Sequence, residues 1–187
     1  PVQFYTWLKS VAQGDLGVSI FSNLPVTKLI GQRVEPTVML TLFTIFIAIV
    51  CAIPLGVLAA WKSRTFVDRF AMIFAVLGFS VPVFVIGYIL MYVFAIQLKW
   101  LPVQGYKQLA DGLIPCLKSL VLPSIALGVV YIALIARITR ASVMEVLAED
   151  YIRTAKAKGL SSHVVLIRHA LKNAAVPIIT IIGVGIA

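Results

Sequence analysis

The sequence predicts an all-α membrane protein, a polytopic bundle of helices, and three observations predict it. Of 187 residues, 61% are apolar and 12% charged, against roughly 45–50% and about 25% in a soluble domain. The mean hydropathy is +1.04. Long charge-free runs, flanked by basic residues, divide the chain. A chain of this size folded in water still leaves roughly a third of its surface wet, so lipid must cover what a core cannot. The same figures exclude disorder, a collagen-like repeat and a disulfide scaffold.

The chain opens on Pro1 without a signal-peptide pattern and stops at Ala187 inside an apolar run. It is therefore expected to be one transmembrane domain over residues 1–187, truncated at both ends. Its two cysteines, Cys51 and Cys116, have neither zinc spacing nor a second pair, so no metal site and no disulfide is expected.

Four spans follow in order. Thr37–Ala60 is 24 residues without a charge, and Phe70–Ile96 is 27 more; both are long enough to cross about 30 Å of hydrocarbon. Leu120–Ala136, with 17, is a short span, and Ala174–Ala187, with 14, is an incomplete one. Between them, residues 61–69 and 137–173 carry 10 of the 16 basic residues. The denser side is expected to be cytoplasmic, so residues 137–173 form a cytoplasmic loop of a multi-pass plasma-membrane protein. Read by position, the formal charge of +9 anchors the chain in a lipid bilayer; nucleic acid is not an expected partner.

The spans are not plain lipid anchors. Pro54 and Gly56 interrupt the first, Gly78, Ser80, Pro82 and Gly87 the second, and Pro123 and Gly128 the third. Each proline frees a carbonyl that a neighbouring helix or a wet cavity must satisfy. Thr37, Thr41 and Thr44 recur at helical spacing. That hydroxyl stripe fits helix–helix packing; alternatively, with Ser80 and Pro82 at the kink, it lines a translocation pathway. No charged residue or histidine lies within the four runs, which argues against a proton- or ion-coupled carrier.

The loop is patterned. Ser142–Lys158 reads as one amphipathic helix with Met144, Leu147, Ala148, Tyr151 and Ala155 on one face and a Glu149–Arg153 pair at i,i+4. Lys156 and Lys158 suit its last turn and Gly159 its C-cap. Ser161 or Ser162 then caps a second helix with Val164, Ile167 and Leu171 on one face. A helix–glycine–helix hairpin of this kind either lies on the membrane surface or docks a cytoplasmic partner.

The residues Tyr151-Ile-Arg-Thr-Ala-Lys-Ala-Lys-Gly-Leu-Ser161, then Arg168-His-Ala-Leu-Lys-Asn173 and Pro177, closely resemble the cytoplasmic loop of ABC-importer permeases of the dipeptide, oligopeptide and nickel group. Gln13–Ser19, Pro54–Ala60, Ser80–Phe84, Trp100–Tyr106, Leu122-Pro123 and Ala136–Arg140 fall in the group's order, so the resemblance covers nearly the whole chain. The wider family carries Glu-Ala-Ala, three residues, Gly. Set on Gly159, that motif places Arg153 at its Glu, Thr154 at the first Ala and Ala155 at the second. The carboxylate is missing, and no role of it passes to Arg153.

The resemblance implies a type I importer permease fold and a function in moving peptides or a related small solute, powered by separate subunits. Arg153, Thr154, Ala155, Lys158, Gly159, Leu160 and Ser161 would form the coupling corner on one of two cytoplasmic ATPase subunits. A second, different permease subunit and an extracytoplasmic substrate-binding protein complete the implied assembly. ATP and magnesium would stay on the ATPases, and no Walker G-x-x-x-x-G-K-[ST] motif occurs here. An intramembrane enzyme lacks support, because Ser80 has no base and His163 and His169 lie in the loop. An ion-coupled carrier or a channel subunit is the remaining alternative.

Overall fold

The structure, a computed structural model, describes residues 2–185; Ile186 and Ala187, the end of the expected fourth span, lie outside them. Among the described residues eight α-helices follow one another: α1 (Val2–Ala12), α2 (Val26–Trp61), α3 (Phe66–Ser80), α4 (Val83–Leu90), α5 (Leu113–Leu147, preceded by a 3-10 turn at Leu109–Asp111), α6 (Asp150–Ala157), α7 (Ser162–Val164) and α8 (Ala175–Val184). Helices α4 and α7 each run on into a π-helical segment, Met91–Gln97 and Val165–Leu171. Among the described residues the only β pairing is an isolated bridge between Val18 and Pro25. The all-α expectation holds.

Among the described residues two helices, α2 and α5, are long and apolar enough to span a bilayer by themselves. Both overrun the charge-free windows, α2 by eleven residues at its start and α5 by seven at its start and eleven at its end. A helix keeps its hydrogen bonds after leaving hydrocarbon, so hydropathy marks the membrane and not the helix end. Lys28, Arg33, Glu35, Lys118, Arg137, Arg140 and Glu145 consequently sit on spanning helices, although none lies in an apolar run. Residues 137–147, expected in the loop, are the last three turns of α5.

Phe70–Ile96 is not one helix. Helices α3 and α4 meet at 103°, because Pro82 cannot donate to the α3 ladder and Val81 before it is extended, at φ −90° and ψ 124°. The pair still recrosses. Asp68 meets Arg140, Gly78 faces Val129 and Ala133, and Gly87 faces Ala126, so the contacts step back along α5 toward its start. The starts of α2 and α5 lie together, Glu35 accepting hydrogen bonds from the Tyr106 hydroxyl at 2.9 Å and the Leu109 N–H at 2.8 Å. Burial, and the bond to Glu35, push the Tyr106 phenol above its ordinary value; it stays a donor at neutral pH.

The core is the parallel crossing of α2 and α5. Ala48 and Ala52 are fully buried, Gly56 and Ala60 continue their four-residue spacing, and α5 answers with Ile132 and Ala136. Small residues at four-residue spacing let two helix backbones approach, which is how helices associate where lipid removes the hydrophobic drive. A Cβ on Gly56 would lie 2.6 Å from both the Ala136 carbonyl oxygen and the Thr139 Cβ. Helix α8 joins the same core through Ile178, and meets α7 and its π extension at 53°.

Candidate functional site

Two places concentrate polar chemistry: a corner beyond the C-terminal end of α5, and a cavity between α2, α5 and the end of α8.

The corner begins with a break. The expected helix over Ser142–Lys158 is two helices, for α5 stops at Leu147 and Glu149 turns extended (φ −67°, ψ 147°) before α6. Arg153 therefore pairs with Asp150 at 3.4 Å, one turn inside α6, and not with Glu149. The buried face also differs from expectation. Ile152 and Ala155 are buried against Val165, Val146 and Leu147, whereas Tyr151 is exposed, its hydroxyl accepting a bond from Asn173 at 2.8 Å. Beyond the corner, Val165, Leu166 and Ala170 are buried and Ile167 is exposed. The π segment over 165–171 adds a residue per turn, and that rotates the face away from the expected Val164, Ile167 and Leu171.

The turn is a Schellman motif. The Leu160 N–H reaches the Ala155 carbonyl at 3.3 Å, and the Gly159 N–H reaches the Lys156 carbonyl at 3.0 Å. Gly159 holds φ at +85°, where a side chain would be strained, although no atom lies within 4 Å of the Cβ it would carry. Ser161 takes the N-cap position of α7 without a side-chain cap bond. Arg153, Thr154, Lys158, Gly159, Leu160 and Ser161 are all exposed, and Ala155 is the one member turned inward. The tip is thus a rigid turn presented to solvent, seated by Ile152 on the end of α5.

The hydroxyl stripe lies along a cavity of about 430 Å³. Thr37, Thr41 and Thr44 line it from α2, Leu127 and Tyr131 from α5, and Arg33 joins them one turn before Thr37. The Thr37 hydroxyl donates to the Arg33 carbonyl at 2.7 Å. Thr44 is buried and its hydroxyl has no partner among the described residues. Ser80 and Pro82 are elsewhere: they mark the α3–α4 break, and the Ser80 hydroxyl is spent on the Val76 carbonyl at 2.9 Å. The structure therefore brings together the threonine stripe and leaves the kink outside it. Arg33 escaped sequence reasoning because it precedes the charge-free window; its spacing of four from Thr37 was the available signal.

A buried ion pair also went unpredicted. Asp68 at the start of α3 accepts two bonds from the Arg140 guanidinium, that from Nη2 at 2.7 Å, and a third from the Arg64 N–H at 2.9 Å. A lone buried carboxylate costs several kcal/mol, so removing either partner would leave a larger penalty than the pair itself returns. The contact ties α3 to α5 two turns before α5 ends. Among the described residues no group of three or more His, Cys, Asp or Glu gathers as a metal site.

The family model described as "Binding-protein-dependent transport system inner membrane component" matches residues 52–187. A protein of Sinorhizobium fredii named "Probable peptide ABC transporter permease protein" is 54% identical over 187 residues, covering 100% of this chain and 60% of the relative. A dipeptide transport system permease protein of Alkalihalophilus pseudofirmus is 37% identical over 97% of this chain and 61% of its own length. A glutathione transport system permease protein of Escherichia coli is 41% identical over 97% of this chain and 56% of its own. The chain thus spans less than two thirds of the length of these curated relatives.

Proposed function

The chain belongs to the family of binding-protein-dependent transport system inner membrane components, and from that premise we propose that the whole protein is the membrane-spanning subunit of an ATP-driven importer for peptides or a related small solute. Two cytoplasmic ATPase subunits supply the energy and hold the ATP and magnesium; this subunit has no catalytic residue. A second, different permease subunit completes the pathway, and an extracytoplasmic binding protein delivers the solute. The relatives named above support the solute class.

The observation that carries the reading is the exposed Schellman corner from Arg153 to Ser161, seated on the end of α5. In this reading its tip enters a groove of an ATPase subunit. When ATP closes the two ATPases the tip moves with them, and Ile152 passes the motion to Val146 and Leu147. Helix α5 is continuous for 35 residues, about 52 Å at ~1.5 Å per residue. A displacement at its cytoplasmic end therefore reaches Leu127 and Tyr131 on the cavity wall. The Asp68–Arg140 contact makes α3 follow α5, so the two move as one body.

Cross-linking tests the docking. A single cysteine replacing Lys158 or Ser161 in the full-length protein, assembled with its ATPase subunits, is expected to form a disulfide with a cysteine scanned along the ATPase groove. Its yield should change between nucleotide-free and ATP-bound states. A cysteine replacing Gln104, in the loop at the other membrane face, serves as the negative control. Equal yields from Lys158, Ser161 and Gln104 would contradict the docking.

A further inference from the structure

Among the described residues that line the threonine cavity, Arg33 is the only charged one. Among the described residues it takes part in neither of the ion pairs, which join Arg140 to Asp68 and Arg153 to Asp150. The nearest acid in sequence, Glu35, is turned to the other side of α2 and engaged by Tyr106 and Leu109. Two residues along a helix rotate a side chain by about 200°, so Glu35 cannot neutralise Arg33 from its own helix. The positive charge faces the cavity uncompensated.

The rest of the wall suits a polar guest. Thr37, Thr41 and Thr44 follow Arg33 at intervals of four, four and three, forming a ladder about 16 Å long at ~1.5 Å per residue. Thr44 at its inner end is 4% exposed, and its hydroxyl has neither donor nor acceptor. A buried hydroxyl left unpaired is unfavourable, and a guest or water in the cavity would satisfy it. The volume of about 430 Å³ corresponds to ~14 water molecules at ~30 Å³ each, the size of a small organic solute.

We propose that Arg33 and the threonine ladder form a binding station for an anionic small solute, Arg33 holding its negatively charged group, such as a carboxylate, while the threonine hydroxyls and Tyr131 receive its uncharged polar part. The inference rests on the pathway reading of the threonine face and adds the charge that this face selects. A guanidinium binds a carboxylate through two parallel N–H donors, a geometry that ammonium cannot supply. Arg33 lies in the outer part of α2, so the station receives solute entering from the extracytoplasmic side and orients it with the anionic group trailing.

Thiol modification tests this without knowledge of the natural solute. The full-length protein is assembled with its partners in membrane vesicles, with Cys51 and every other native cysteine replaced and Thr41→Cys introduced. Three methanethiosulfonates probe it: the 2-hydroxyethyl reagent (neutral), the 2-sulfonatoethyl reagent (anionic) and the 2-trimethylammonioethyl reagent (cationic). The anionic-to-cationic rate ratio, normalised to free cysteine, is expected to fall about tenfold with Arg33→Gln and further with Arg33→Glu, the size that a unit charge exerts at this range in partly wet surroundings. Arg33→Lys should keep the ratio. A Thr41→Cys that the neutral reagent reaches, with a charge ratio indifferent to Arg33, overturns the anion station alone. A Thr41→Cys that no reagent reaches in any nucleotide state overturns the pathway reading as well.

Discussion

Replacing Gly159 by valine abolishes retention of the ATPase subunits while the protein still inserts in the membrane. At φ +85° a β-branched side chain meets the following carbonyl, at a cost of about 1–2 kcal/mol or more. The surroundings offer no relief and no obstacle, since the space around Gly159 is open. The penalty therefore acts on the backbone alone. To escape it the chain must abandon the two bonds that close the Schellman turn, those from Leu160 to Ala155 and from Gly159 to Lys156, and the tip changes shape. Ile152 and Val165 remain buried, so the hairpin stays seated on α5 and insertion is unaffected. A graded series separates shape from bulk. Asparagine tolerates the left-handed region and should retain most of the co-purified ATPase; alanine should fall between it and valine. Loss of about 2 kcal/mol at the tip corresponds to ~30-fold weaker docking. A Gly159→Val protein that co-purifies its ATPases at the wild-type ratio would contradict this.

The second large effect lies in the core. Gly56→Leu prevents the helices from packing, and even Gly56→Ala destabilises. The new Cβ would lie 2.6 Å from the Ala136 carbonyl oxygen and 2.6 Å from the Thr139 Cβ, and neither atom can move without its helix. Helices α2 and α5 must separate along an interface in which Ala48, Ala52 and Ala136 have almost no exposed surface. Overpacking of this kind typically costs about 1–3 kcal/mol, and a contact with fixed backbone puts alanine at the upper end. The same change at Gly31, on the same helix with nothing within 4 Å, should leave stability unchanged or slightly raised, because alanine is the better helix former. Thermal unfolding of the detergent-solubilised, full-length protein reads both. Adding Thr139→Gly to Gly56→Ala should restore only part of the loss, since the Ala136 carbonyl remains in place. Wild-type melting of Gly56→Leu would show that the α2–α5 crossing is not the core.

What could be seen in the sequence was local. Hydropathy belongs to single residues, so the apolar runs located α2 and α5. The Gly159 corner depends on a few neighbouring residues, the lysines of the last turn of α6 among them. The threonine stripe needed only helical spacing. What escaped depends on distant partners or on backbone geometry that no side-chain pattern encodes. Asp68 and Arg140 are 72 positions apart, and each looks like an ordinary loop charge until α3 and α5 are side by side. The apolar period runs through Ala148 without interruption, so the break before α6 is invisible; it follows from Ile152 turning in against Val165. A π segment has no signature in a 3.6-residue pattern, which is why Ile167 was expected inside and Leu166 was not. Arg33 was missed for a different reason: windows chosen to be free of charge exclude a charged residue that continues their polar face.

ATP-dependent uptake is the most direct measurement of the importer assignment. The full-length protein is rebuilt into vesicles with its ATPase subunits, its companion permease and the binding protein loaded with labelled solute. Accumulation is expected only when the ATPases can hydrolyse ATP, and Gly159→Val should abolish it while the ATPases remain active by themselves. Uptake that proceeds without hydrolysis, or that survives Gly159→Val unchanged, would contradict an ATP-driven importer coupled through this corner.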